Sequence, residues 1–380
     1  MTRAFPRALL GVFLLVSLAV GAAFALQSNR GLLDFGAFYM AGVADQEGLD
    51  PYGVYPELAA ETGEDFGYTD GRGHSPNLNP PISLYPFRLL VDADPATVMW
   101  GLNIVSAVAF AACGYALLRA YPQHRNPAGI LWLAGFGGFW YTLWLGQVYV
   151  LLFVVGLAAW LLIRRGTHPI VAGVLIGLLV AVKPHFVLWP AFLLLARHPR
   201  VALPALAVAA ATSAIPSALE GPAIYEQWLD AAAAYPRVAL AGNASLVGQA
   251  ARLGVEPFGY AAAAVLVAAS AAIMFRSRAT ALRASSWALV VASLASPIAW
   301  IGYGLLLLPV LLARTWQTRE WVVAIGMTGI WFVLGIGEIY FLATGLLMFL
   351  LAKDQLVSKE LSQSVDAARV TMSHRPRIAA

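Results

Sequence analysis

The sequence predicts an all-α integral membrane protein, a polytopic bundle of roughly twelve transmembrane helices forming one domain. Three observations predict it. Of 380 residues, 60% are hydrophobic and only 12% charged, where a soluble domain carries about 25% charged residues; the mean hydropathy is +0.72. Apolar runs of roughly 15–20 residues, the length of a membrane span, recur from Leu9 to Leu351. The arginines between these runs fall in a strict alternation.

The first run, 8–26, follows Arg3 and Arg7 and ends near Ala23-Phe24-Ala25, the outline of a cleavable signal. Its apolar core runs about 18 residues against the usual 7–15 of a signal peptide, so a retained first helix is expected. Either reading sends residue 27 onward to the same face. Further spans are expected near 96–118, 128–145, 148–163, 169–183, 185–196, 201–219, 257–275, 284–299, 301–313, 321–336 and 339–352. Read as one helix, 169–196 would put Arg164 and Arg165 on the side opposite Arg197 and Arg200. Pro184 lacks a backbone donor and crowds the turn before it, so two short segments are predicted there.

With that break, one set of connections carries Arg3/Arg7, Arg119/Arg125, Arg164/Arg165, Arg197/Arg200, Arg276/Arg278/Arg283, Arg314/Arg319 and Lys353. The alternate set carries residues 34–94, Gln147, Lys183, 220–256, Trp300 and Glu338. The positive-inside rule makes the first set cytoplasmic, both termini included. Residues 1–352 then form a single membrane domain with outer loops at 27–95 and 220–256. Residues 353–380 form a polar cytoplasmic tail.

The first outer loop holds eleven of the chain's 20 acids against Arg30, Arg72 and Arg88. Its HSPNLNPPISLYPFRLL stretch is too short to span about 30 Å and is broken by Pro80, Pro81 and Pro86. An interfacial or re-entrant element is expected there. The basic residues sit at helix ends, so the pI near 9.2 reads as topology and nucleic acid is not an expected partner. Cys113, the one cysteine, excludes an intramolecular disulfide and any multi-cysteine metal site. No Gly-x-x-x-x-Gly-Lys-Ser/Thr loop, His-Glu-x-x-His pair or Gly-x-Ser-x-Gly elbow occurs, and neither a cofactor nor a metal is expected.

Asp34, Gln147, Lys183, His185, Asn243, Ser245, Gln249, Trp300, Tyr303 and Glu338 all fall toward the outer face. Ionisable groups at such depth are costly and point to function. Lys183 is the only lysine before residue 353 and runs against the positive-inside bias. Each residue also has a plainer reading. Asp34 could cap a helix starting at Phe35, Lys183 could snorkel to headgroups, and Gln147 could be inter-helix glue. Trp300 and Tyr303 could belong to an aromatic belt, and Asn243-Ala244-Ser245 matches a glycosylation sequon. The chemical reading is glycosyl transfer from a lipid-linked donor. A carboxylate takes the acceptor hydroxyl's proton, and a cation stabilises the leaving phosphate.

The ordered segments DFGAFYMAG, DPYGVYP, NLNPPISLYPF, LGQVYVLL, AGVLIGLLVAVKPHFVLWP, GNASLVG and SPIAW resemble glycosyltransferase family 87. That family comprises polyprenol-phosphate-mannose-dependent mannosyltransferases and relatives, formerly a domain of unknown function. The resemblance covers about residues 30–315. It implies the C-type glycosyltransferase (GT-C) fold with juxtamembrane helices in the first outer loop, and transfer with inversion. It implies Asp34 as general base, Lys183 of the Lys-Pro element as a donor-phosphate contact, and Asn243 and Ser245 as further site residues.

With Gln147, His185, Trp300 and Tyr303 these make up the expected substrate contacts. The implied partners are a polyprenyl-phosphate-linked sugar, most simply mannose, a glycolipid or cell-envelope glycan acceptor, and membrane lipids. The implied location is the outer face of a bacterial inner membrane. One departure stands out. Many relatives continue Ser-Pro-x-Ser-Trp with a histidine a few residues on, whereas this chain reads SPIAWIGYG, with Ala299 for the serine and Gly302-Tyr303 where histidine is expected. Tyr303 and His185 substitute for it, or the donor differs, or the chain is not an active transferase. Rival readings are a transporter or flippase using Asp34 and Lys183 as a coupled pair, and a non-catalytic partner in envelope assembly.

Overall fold

The computed structural model describes residues 7–27, 31–67, 74–234 and 238–354. Among them the chain is helical, and β pairing is limited to two isolated bridges, Phe136 with Thr328 and Asn243 with Trp300. Four helices are long and apolar enough to cross a membrane: Ala8–Ala25, Pro95–Ala120, Pro199–Glu220 and Glu256–Ser277. Pro169–Val182, Pro184–Leu195, Ala281–Ala295 and Ile301–Leu312 are shorter apolar segments. Of the other expected spans, 148–163 is one helix, Tyr149–Arg165, and 339–352 is helical throughout, whereas two are broken. The 128–145 run folds as Pro127–Ala134 and Gly137–Leu145, and the 321–336 run as Thr318–Gly326 and Gly329–Val333.

These two breaks face each other, which is why both are tolerated. Gly137 N–H donates to Met327 O at 2.9 Å and Gly329 N–H to Gly135 O at 2.9 Å, so backbone groups freed by the breaks satisfy one another in an apolar setting. The break predicted at Pro184 is present. Lys183 leaves the helical region at φ −135°, ψ 85°, as the residue before a proline is biased to do. Glycine sets the spacing of the flanking helices. A methyl on Gly177 would meet Ala205 O at 2.5 Å, and one on Gly173 would strike Val201 O. Pro169–Val182 therefore lies against Pro199–Glu220 at the backbone distance typical of small-xxx-small packing.

The arginine-bearing connections gather at one end of the bundle. A cavity of about 1800 Å³ there is lined by Arg283, Arg314, Arg319 and Lys353 with Glu320 and Asp354, and by Leu10 of the first helix. No described residue of 31–94 lines that cavity. Leu33–Gln46 packs on the short helix Leu84–Arg88 through stacked Phe38 and Phe87 rings, 4.7 Å apart. Arg88 ties this layer to the bundle by ion pairs to Asp45 (2.6 Å) and Glu220 (2.7 Å). Helices Ala223–Ala234 and Leu246–Arg252 form the 220–256 region, where Arg252 pairs with Glu338 at 2.9 Å.

One loop contact carries a pH dependence. Tyr55 N–H donates to His74 Nε2 at 3.1 Å, so that nitrogen is unprotonated and Nδ1–H donates to Ser75 O at 2.9 Å. Burial holds the His74 pKa below its ordinary 6.5, because a charged ring would lose solvation and the Tyr55 bond together. The unfolded loop therefore binds a proton first. This clamp is intact above about pH 6.5 and loses stability as pH falls below it. Hydrogen exchange at Tyr55 is expected to speed up between pH 7 and 5 beyond the intrinsic rate change. His74→Phe should flatten that profile, and an unchanged profile would mean the clamp does not hold the loop.

Candidate active site

Five chain segments bring polar side chains together around Asp34 and Lys183. Gly31 and Leu33, both at positive φ (70° and 44°), turn the chain into Leu33–Gln46. Asp34 enters in the first turn, where a carboxylate suits the helix dipole. It is not a helix cap: the N-cap is Leu32, and Asp34 is 8% exposed with its side chain directed into the bundle. Gln147 Nε2 donates to Asp34 Oδ2 at 2.8 Å.

Gly146 makes that approach possible. It takes the left-handed conformation that ends Gly137–Leu145, φ 66°, and a Cβ there would sit 2.6 Å from Phe35 Cβ. The Leu-Gly-Gln sequence is thus a close-approach turn. Gln147 is 6% exposed, and its Oε1 has no partner among the described residues.

Lys183 is 7% exposed. Its Nζ donates to Asn79 Oδ1 at 2.5 Å and lies 5.0 Å from the Tyr149 ring centroid and 5.5 Å from that of Tyr303, a cation–π setting. No carboxylate forms an ion pair with it among the described residues, although Asp34 is near enough for its charge to act on Lys183. An ammonium this buried needs a compensating charge, and a ligand anion can supply one.

The residues at the SPIAWIGYG departure have a clear arrangement. A Cβ on Gly302 would meet Tyr149 Cε2 at 2.7 Å, so no larger side chain fits there. Tyr303 lies edge-on to Tyr149 at 5.0 Å and stacks on His185 at 4.7 Å. His185 Nε2 has no partner among the described residues. An imidazole is therefore present beside Lys183, contributed by residue 185.

Asn243, Ser245 and Trp300 are placed differently. Asn243 and Ser245 are fully buried. Asn243 Nδ2 donates to Val238 O and Pro297 O, both at 2.9 Å, and its Oδ1 accepts from Ala299 N–H at 2.9 Å. Ser245 Oγ caps Leu246–Arg252 by accepting from Gly248 N–H at 2.9 Å. The sequon nitrogen is thus enclosed by backbone. Trp300 is bridged to Asn243 and packs over Gly242. These residues brace the 296–300 turn that leads into Ile301–Leu307 and Tyr303.

Asn77 and Asn79 join the site without having been singled out in the sequence, and Tyr149 likewise. The NLNPP stretch carried the signal: two asparagines ahead of two prolines in a segment too short to span. Among the described residues, no group of three or more His, Cys, Asp or Glu side chains is placed to hold a metal.

No curated protein and no solved structure matches the chain. A family model described as glycosyltransferase family 87 matches residues 77–297, more than half of the chain. Asn77, Asn79, Gln147, Tyr149, Lys183, His185, Asn243 and Ser245 lie inside that span, and Asp34, Trp300 and Tyr303 outside it. With a helical, apolar architecture and this matched core, the chain belongs to glycosyltransferase family 87 and is a membrane glycosyltransferase.

Proposed function

We propose that the protein transfers a sugar from a polyprenyl-phosphate-linked donor to a glycolipid or cell-envelope glycan hydroxyl. The reaction runs on the outer face of a bacterial inner membrane, with both termini in the cytoplasm. The supporting observation is a buried carboxylate, Asp34, whose charge acts on a buried ammonium, Lys183, that makes no carboxylate ion pair among the described residues. Asp34 accepts the proton of the acceptor hydroxyl as that oxygen attacks the anomeric carbon. The bond from that carbon to the donor phosphate breaks, and its electron pair leaves on the phosphate oxygen facing Lys183.

Attack from the side opposite the leaving group inverts the anomeric centre. Gln147 holds Asp34, and its free Oε1 accepts a substrate hydroxyl. Tyr149 and Tyr303 hold Lys183, with His185 beside them. Asn243, Ser245 and Trp300 act by positioning the turn ahead of Tyr303. Mannose is the first sugar to test, on the family's habit.

The test uses protein reconstituted in liposomes with radiolabelled polyprenyl-phosphate mannose and a lipid extract of the source cells. Label is expected to move to a new lipid or glycan product. No transfer from this donor, nor from the corresponding pentose and other hexose donors, would overturn the proposal. Proton-coupled uptake by the same vesicles would favour a transporter.

A further inference from the structure

The polarity of the asparagine pair is fixed by its neighbours. Asn77 Oδ1 accepts from the Asn79 backbone N–H at 3.0 Å and from Asn79 Nδ2 at 2.8 Å. A backbone N–H only donates, so that atom is the amide oxygen. Asn79 Oδ1 accepts from Lys183, which also only donates. Both asparagine amides are therefore oriented without ambiguity.

What remains is Asn77 Nδ2. Asn77 is 1% exposed, and this nitrogen has no partner among the described residues. A buried amide N–H without a partner is costly, and its segment has no freedom to turn it away. Trp228 Nε1 donates to Leu78 O at 3.1 Å and Tyr52 OH to Asn79 O at 3.1 Å. Pro80 and Pro81 stiffen the exit. Two elements from different outer loops thus clamp the backbone on either side of the pair.

We propose that Asn77 Nδ2 and Lys183 Nζ form a two-donor cradle for the phosphate of the isoprenoid carrier, with Asn79 the positioning residue that aims the lysine. This rests on the reading of Lys183 as a phosphate contact and adds residues that the reading did not include. Both groups are donors, which suits an oxyanion and no cation. Asn79 carries no charge, so it directs Lys183 without neutralising it. An aspartate at 79 would pair with the ammonium and compete with the phosphate.

The experiment measures binding of undecaprenyl phosphate and of undecaprenol to the full-length protein in detergent. The comparison of phosphate with alcohol isolates the anion contact from the hydrocarbon groove. Asn77→Asp keeps the oxygen that accepts from Asn79 and replaces the free donor with an anionic oxygen. It is expected to weaken phosphate binding at least 10- to 100-fold, through the lost hydrogen bond to a charged group and the added negative charge, with alcohol binding unchanged.

Asn79→Asp is expected to weaken phosphate binding selectively as well. Phosphate affinity retained in Asn77→Asp but lost in Lys183→Gln would overturn the cradle and leave the donor reading standing. Equal loss for phosphate and alcohol would mark Asn77 as purely structural and also overturn it. Wild-type protein that does not distinguish phosphate from alcohol would overturn the donor reading itself. If Asn77→Asp does not fold, Asn77→Ala serves, judged by the same phosphate-to-alcohol ratio at matched melting temperature.

Discussion

Asp34→Asn is expected to lower the rate of sugar transfer by about 10²- to 10⁴-fold, the range for removal of a general base, with the melting temperature in detergent unchanged. The substitution is nearly isosteric. Gln147 Nε2 now donates to Asp34 Oδ2 at 2.8 Å, and an asparagine oxygen would accept the same bond. What disappears is the capacity to take a proton, together with a negative charge that acts on Lys183. Donor binding should survive, because the proposed phosphate contacts lie on Lys183 and its neighbours. The measurement is initial rate against donor concentration: kcat should collapse while KM stays within a few-fold. A variant that transfers at the wild-type rate would remove Asp34 from the chemistry and return it to a structural role in the loop.

Gly137→Ala is expected to destabilise the fold by roughly 3 kcal/mol or more. A methyl there would collide with the Tyr340 hydroxyl and stand 2.8 Å from Thr328 O. That hydroxyl donates to Met327 O and Thr328 O, both at 3.1 Å, at the crossing of the two broken helices. Overpacking costs about 1–3 kcal/mol, and the Thr328 carbonyl left without its Tyr340 donor in an apolar interior costs about 1–3 kcal/mol more. The double variant Gly137→Ala/Tyr340→Phe makes room and should recover part of the loss. A melting temperature equal to wild type in Gly137→Ala would show that the crossing relaxes freely.

Stability and activity are expected to separate along these two variants. The Asp34 site is held by the Gly146 turn and the Lys183–Pro184 break. The Phe136–Thr328 crossing stands at the opposite end of the Gly137–Leu145 helix from Gly146. A catalytic change at Asp34 should therefore be silent in melting experiments. A packing change at Gly137 should reduce activity only in proportion to the folded fraction.

The sequence by itself determined the membrane class, the break at Pro184 and the segregation of polar residues from arginine-bearing connections. These depend on composition and on local rules of proline and charge, which act without knowledge of the fold. It also pointed to Asp34, Gln147 and Lys183, because an ionisable or amide group at a helix end in an apolar chain is conspicuous alone. It did not distinguish the 128–145 and 321–336 runs from continuous helices. Their breaks are stable only because each supplies hydrogen bonds to the other across some 190 residues of chain, as Phe136 and Thr328 show. Only the tertiary structure decided that Asn243 and Ser245 brace a turn while Asn79 holds the lysine and Asn77 holds Asn79. All four are asparagine or serine in polar loops, and their roles depend on which partner folding brings within about 3 Å, the reach of a hydrogen bond.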